Sequence, residues 1–326
     1  MGILDPEYQV FTSQHGWGTL VYKVRNGTLV VSGDLLAPPE HFQHLLGELA
    51  EFRKAKRLKL AFMGVSDTFA AYAQEQGWTT LRVGRERVLN PTTNKILLNQ
   101  GAGKRMIGQN RRLLDPNRGR IDLGVYAPAI NGIDSSMEAQ IQVIYDQWRQ
   151  GRNCRKAKGL QTFVTVYDLF SRRNITFFIY TKSQQGTING FAGLRSVGAH
   201  SGFHLDPCVA SSTAPRGITD LLIVTAMKML RDAGVSYLSL GHEPFLDLGD
   251  MPNQNGMKAR VARDMFHRVV DSAQLSGKRT FNDKFHPDES QSSDLYVVLP
   301  GGPSLVRQAA AVMHVANIKI RRLLVQ

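Results

Sequence analysis

The segment from Ala214 to Gly241 constrains the fold more than any other. Pro215, Arg216 and Gly217 make a helix-breaking loop, after which Ile218, Leu221, Leu222, Thr225 and Met229 recur on one helical face until Gly234 ends the run. Val235 to Leu240 then reads as a short, mostly apolar strand. Loop, helix and strand in that order are the building unit of α/β folds. A helix starting at Gly217 presents unpaired N–H groups and the positive end of its dipole, and a glycine there lets a ligand approach the backbone. With Arg216 beside it, the loop reads as a seat for phosphate or, more plainly, as an ordinary helix start with Thr219 and Asp220 in its first turn.

The remainder has the same character. Leu20, Tyr22 and Val24 alternate into Arg25-Asn26-Gly27 and out through Leu29 and Val31, the pattern of a hairpin. A helix follows Pro38-Pro39, with Phe42, Leu45, Leu46, Leu49 and Phe52 at helical spacing; Leu58–Met63 and Thr79–Val83 read as strands around a helix from Thr68 to Gln76. Met137–Arg149 is helical, and Leu160–Tyr167, Ile175–Tyr180 and Thr187–Val197 read as strands. At about 100–200 residues per domain, 326 residues predict two domains, drawn here as 1–130 and 131–326.

The balance of 40 Lys and Arg against 27 Asp and Glu gives a formal charge of +13, a field that attracts polyanions such as nucleic acid or an anionic membrane. The most basic stretch carries Lys95, Lys104, Arg105, Arg111 and Arg112, on a helix predicted around Ile96 to Leu114 with Gly101, Gly103 and Gly108 as interruptions. It reads as a phosphate-tracking surface or as a solvated linker helix. Cys154 and Cys208 have neither CxxC spacing nor a metal-ligand pattern, so no metal is expected and a reducing compartment fits. No apolar run approaches the roughly 20 residues of a membrane span, and the N-terminus lacks the order of a signal peptide.

Two further groups carry chemistry. Leu240-Gly241-His242-Glu243-Pro244 follows a strand end, where ligands collect in open α/β sheets, and a His beside a Glu supplies acid and base groups; on an extended backbone only one of the two enters a given site. Lys284 lies among Phe281 and Phe285, a cation between rings suited to a carboxylate or phosphate, or else a surface loop with its rings in the core. Nucleophile-elbow, Walker, HExxH and Rossmann signatures are missing, which disfavours those enzyme classes.

Taken in order, Gly186-Thr-Ile-Asn-Gly-Phe-Ala-Gly-Leu-Arg195, Asp206, Ala214 to Leu222, Leu240 to Pro244, Phe281 to Pro287 and Tyr296-Val297-Val298 resemble the catalytic domain of the phosphatidylglycerol lysyltransferase family. The resemblance extends upstream through Gly33-Asp34, Val83-Gly84-Arg85-Glu86, the stretch from Gly103 to Asn110 and Trp148. It implies an α/β fold of tandem acetyltransferase-like (dual GNAT) domains with mixed β-sheets flanked by helices. It also implies transfer of an amino acid from aminoacyl-tRNA, the co-substrate, to a lipid hydroxyl, with no cofactor and no coenzyme A.

Residue by residue, the resemblance and the chemistry place Asp206, Asp220, His242 and Glu243 in catalysis, with Arg216, Gly217, Thr219, Lys284 and Phe285 on substrate or phosphate. Lys95, Lys104, Arg105, Arg111 and Arg112 are expected on tRNA. The chain departs from bacterial members, which carry Asp-Leu-Met-Arg where Asp206-Pro207-Cys208-Val209 stands and small or apolar residues at His242 and Glu243. Their many-helix membrane segment is likewise not in this sequence. In that respect it is similar to soluble fungal relatives that aminoacylate ergosterol at its 3β-hydroxyl. The expectation is therefore a cytoplasmic, peripherally membrane-associated sterol aminoacyltransferase, donating glycine or next aspartate, supplied by a cellular aminoacyl-tRNA synthetase. The alternatives are a phosphatidylglycerol lysyl- or alanyltransferase, an acyl-coenzyme A N-acyltransferase lacking the usual pyrophosphate loop, and a non-catalytic tRNA-binding module.

Overall fold

The computed structural model describes residues 5–154, 167–245, 276–301 and 305–317. The strand expected over Leu160–Tyr167 lies outside these but for Tyr167 itself. In the first half, β1 (Gln9–Thr12), β2 (Thr19–Arg25) and β3 (Thr28–Ser32) form an antiparallel meander. Asn26 and Gly27 sit at φ of 50° and 67°, the left-handed pair that a two-residue hairpin demands. Helix α1 (Phe42–Ala55) crosses the sheet, β4 (Lys59–Val65) returns parallel to β3, and α2 (Asp67–Glu75) leads to β5 (Thr79–Leu89).

The second half repeats this order. After α3 (Lys104–Leu114), β6 (Asp122–Tyr126), α4 (Pro128–Asn131) and α5 (Ser135–Cys154), a meander of β7 (Thr176–Lys182), β8 (Ile188–Ser196) and β9 (Phe203–Ala210) precedes a crossover helix, α6 (Ile218–Asp232). Strand β10 (Leu238–Pro244) then returns parallel to β9. A helix α7 (Ser276–Asp283), β11 (Asp294–Leu299) and α8 (Leu305–Val315) follow. All eleven strands join one mixed sheet, β1-β2-β3-β4-β11-β5-β10-β9-β8-β7-β6, so the late strand β11 sits between β4 and β5 of the first half. This is the α/β fold of mixed strands and flanking helices that the sequence predicts.

Both faces of the sheet are covered. Met106 and Leu113 of α3 share a core with Ile218, Leu221 and Leu222 of α6 and with Ala192 and Leu194 of β8; Ile141, Ile144 and Tyr145 of α5 pack on the opposite face against Phe178 and Phe191. Strand β8 is accordingly buried along nearly its whole length, which is why its sequence runs apolar and small instead of alternating. The basic stretch around Arg111 is thus a packed helix with one buried face. It is shorter than expected because Gly103, at φ 65°, caps a helix that begins only at Lys104, and the residues from Ile96 to Leu98 lie in turns.

The two halves differ at their parallel pair. Strands β3 and β4 pair at five positions, from Thr28 with Lys59 to Ser32 with Met63, whereas β9 and β10 pair only at Phe203 with Leu238 and His204 with Ser239. Each strand is irregular where they part. The register of β10 against β5 shifts between Ser239 and His242, with Gly241 at φ 76°, and β9 carries Pro207, which has no N–H to donate. The result is a cleft in the second half.

Gly84 of β5 is the tight point behind that cleft: a Cβ there would stand 2.3 Å from His242 Nε2 and 2.5 Å from the Glu243 carbonyl oxygen. Because backbone cannot yield as a side chain does, Gly84→Ala is expected to destabilise the fold by about 1–3 kcal/mol, read as a lower urea midpoint; an unchanged midpoint would show that β10 moves freely.

Candidate active site

The cleft is bounded by Asp206–Cys208 of β9, His242–Glu243 of β10 and the start of α6. Gly217 takes φ 98° at the helix start and no side chain caps it, so the first N–H groups of α6 are left for solvent or ligand. The Arg216 side chain is exposed, while its carbonyl accepts from Gln109 Nε2 of α3 at 2.6 Å. That bond docks α3 beside the loop. Arg105 and Arg112, spaced around Gln109 on one helical stripe, therefore face the same side as Arg216, and Lys95, Lys104 and Arg111 are exposed as well.

Helix α7 and the turn after it tie the cleft together. Lys278 Nζ donates to the His242 carbonyl at 2.5 Å, Asn282 Nδ2 to Glu243 Oε2 at 3.0 Å, and Lys284 Nζ to Asp220 Oδ1 at 2.5 Å. The Lys284 ammonium also lies 4.1 Å from the Phe281 ring centre and 5.2 Å from that of Phe285, which is fully buried. Asn94 fixes this turn by donating to the carbonyls of Phe285 and His286 at 2.8 and 3.2 Å. The sequence-predicted Asp220, Lys284 and Phe285 thus form one cluster, with Thr219 joined to it through its carbonyl and Cys208 Sγ at 3.7 Å.

Asp206 belongs to a second cluster. The Tyr167 hydroxyl donates to its carboxylate, Arg195 donates to its carbonyl, and the Arg195 guanidinium stacks 4.9 Å from the Tyr167 ring. Burial and the Asp206 charge push the Tyr167 hydroxyl up, so it stays a donor. Burial, helped by Asp220 and Asp206, likewise pushes the Cys208 thiol up, which leaves it protonated and unsuited to act as a nucleophile. His242 and Glu243 point apart, as adjacent strand residues do. Burial and the Lys278 charge hold the His242 imidazole down to about 4, so the ring is neutral at pH 7.

Glu243 is held by a residue that sequence reasoning passes over. The Arg87 guanidinium, 4% exposed, stands 3.5 Å from Glu243, 2.5 Å from Asp283 and 2.6 Å from Glu289. Arg195 and Tyr167, which hold Asp206, are likewise given no role by the sequence. The available signal for the first is Arg85 and Arg87 at a spacing of two inside a strand, which places two cations on one sheet face. Among the described residues no group of three or more His, Cys, Asp or Glu side chains is placed to hold a metal ion, and no helix is long and apolar enough to cross a membrane.

A family model for the C-terminal domain of phosphatidylglycerol lysyltransferase matches residues 1–296. The chain belongs to that family. Among curated members it is 23% identical over 286 residues to the MprF-like domain protein Rv1619 of Mycobacterium tuberculosis, covering 84% of this chain and 55% of that protein. It is 20% identical over 286 residues to the phosphatidylglycerol lysyltransferase of Staphylococcus haemolyticus, covering 88% of this chain and 32% of that protein. The chain therefore spans about half of one curated lysyltransferase-family relative and a third of the other. The solved L-PGS of Bacillus licheniformis superposes with a TM-score of 0.73 at 19% identity, over 97% of this chain and 90% of that one, which establishes the shared fold.

Two stability measurements test this arrangement of buried charge. Arg87→Ala leaves the buried Glu243 carboxylate without its cation and is expected to cost about 3–5 kcal/mol, seen in urea unfolding; a loss below about 1 kcal/mol would mean Glu243 is solvated. Burial also holds His204 down to about 4 from its ordinary 6.5. Below pH 6.5 the unfolded chain takes up protons that folded His204 and His242 refuse until about pH 4, so stability is lost as the pH falls through that window. A urea midpoint that stays flat across that window would count against both burials.

Proposed function

We propose that this chain transfers an amino acid from aminoacyl-tRNA to the hydroxyl of a phospholipid of the phosphatidylglycerol type. The observation that carries the reading is the family match over residues 1–296. The curated relative whose name states an activity is a phosphatidylglycerol lysyltransferase, and this moves the acceptor from the expected sterol to the phospholipid. Lysine accordingly replaces glycine as the leading donor residue.

In this reading the lipid hydroxyl attacks the carbonyl carbon of the aminoacyl ester. A new C–O bond forms, the hydroxyl proton passes to a base, and the tetrahedral oxyanion collapses, breaking the bond to the tRNA ribose, whose oxygen takes the proton back. One ester replaces another, so positioning and charge stabilisation suffice. Neutral His242 is the proposed proton acceptor. A ring with a pKa of about 4 returns its proton readily to the leaving ribose oxygen. Lys284, held by Asp220 between two rings, is the proposed contact for a phosphate or the developing oxyanion, and Asp206 with its Tyr167 donor is proposed to receive the ammonium of the transferred residue. Arg216, Gly217 and the exposed cations of α3 supply positive charge along one side of the cleft, which supports tRNA binding there, and peripheral membrane contact belongs to the same proposal.

The test is to incubate the chain with tRNAs charged with labelled lysine, alanine, glycine or aspartate and vesicles containing phosphatidylglycerol or ergosterol, then extract the lipids. Labelled phosphatidylglycerol is expected, with a loss of about 10²–10⁴ in rate for His242→Ala and for Lys284→Ala. Full transfer by His242→Ala would remove the base assignment, a labelled sterol would restore the sterol acceptor, and tRNA binding without any labelled lipid would favour a non-catalytic module.

A further inference from the structure

A groove of about 850 Å³ opens between α5, the turn joining β7 to β8 and the Ser211–Pro215 part of the loop before α6. Its walls combine amides and hydroxyls with aliphatic side chains, Ile121, Ala139 and Val143 among them. Gln140 and Gln147 come from α5, Gln184 and Gln185 from the turn, and Ser211 and Thr213 from the loop; the Gln140 Oε1 accepts from the Ile188 N–H at 3.4 Å. Ile144 and Ile188 give it an apolar floor. Among the described residues no Lys, Arg, Asp or Glu lines it.

Asn189 is the built element of this groove. It is 7% exposed, and its Oδ1 accepts from the Thr181 hydroxyl at 2.7 Å, which fixes the amide and leaves Nδ2 without a partner among the described residues. An amide donor held in one orientation selects a ligand with an acceptor at that point. The charge lies on the rim instead. Gly119 and Pro215 belong to the wall, and Arg118, Arg120 and Arg216 beside them are exposed. Arg118 is held only loosely, 3.6 Å from Asp115, and Arg120 donates to a backbone carbonyl.

A neutral hydrogen-bonding trough with a greasy floor and a cationic lip fits an unpaired nucleotide. The flat base lies on the isoleucines with its edge read by amides, and its phosphate meets the arginines. A lipid tail would need a wall free of glutamine, and a free phosphate would need charge inside. We infer that this groove holds an unpaired base of the single-stranded end of a tRNA, an assignment that rests on the aminoacyl-tRNA reading above. The loop from Ser211 to Gly217 then borders both places, the groove through Ser211, Thr213 and Pro215 and the cleft through Gly217.

The experiment measures binding of the full chain to a labelled single-stranded RNA ending in CCA, by fluorescence anisotropy over a range of salt concentrations. Gln147→Ala with Gln184→Ala, both exposed side chains, is expected to weaken binding about tenfold with the salt slope unchanged, because base recognition releases no counterions. Arg118→Ala with Arg120→Ala is expected to lower the slope by about 0.7 for each phosphate that the variant no longer neutralises. Unaltered affinity in the glutamine pair, or a weakening that comes with a change of slope, overturns the inference. With charged tRNA in the labelled-lipid assay, the glutamine pair should raise KM about tenfold and leave kcat unchanged. Unchanged KM with active wild type removes the groove and leaves the transferase standing. If wild type labels no lipid, the transferase reading falls and the RNA-binding result alone decides the groove.

Discussion

A sheet is held together by backbone hydrogen bonds that each strand must give to its neighbours, and the centre of this one stops giving them after two pairs. Beyond His204 and Ser239 the facing edges of β9 and β10 lose each other as partners, and everything distinctive about the second half fills the space that results. Two of the side chains that gather there take up backbone carbonyls, Lys278 that of His242 and Arg195 that of Asp206. The first half, whose parallel pair is closed over five positions, has no such opening and packs there with aromatic and aliphatic residues.

The clustering of charge around the gap follows from this. Arg87 is almost fully buried and faces three carboxylates, yet only Glu243 among them shares its burial; Asp283 and Glu289 reach solvent. An arginine in that position is costly to bury and more costly to leave unpaired, so the segment carrying Asp283, Lys284 and Glu289 is held against β5 and β10 by electrostatics as well as by Phe285. The acidic and basic groups are thereby fixed before any substrate arrives, which is the condition under which they act without reorganising.

Much of this is legible in the residues. The hairpin at Asn26-Gly27, the helices after Pro39 and Gly217 and the strands of the second meander follow from local periodicity and turn chemistry, because those signals lie within a few residues of one another. Motif order singles out Asp220 and Lys284, and they meet 64 residues apart in sequence. Nothing of the kind assigns a role to Arg87, Arg195 or Tyr167. Their importance comes from what faces them across the sheet, a relation of register between distant strands that no local spacing encodes. Helix α3 is shorter than its periodicity suggests because glycines at 101 and 103 read as interruptions within a helix, whereas the left-handed Gly103 caps its start.

The position of β11 bears on how such a chain reaches its native state. The edge of β4 and the edge of β5 are both made early, but the strand that joins them is separated from β5 by about two hundred residues of chain. During synthesis the first half therefore waits with two open strand edges exposed while the whole second half emerges. Open edges of that kind invite pairing with other chains. The protein is built so that its first domain-sized unit is completed last, which ties the folding of the two halves into a single late event.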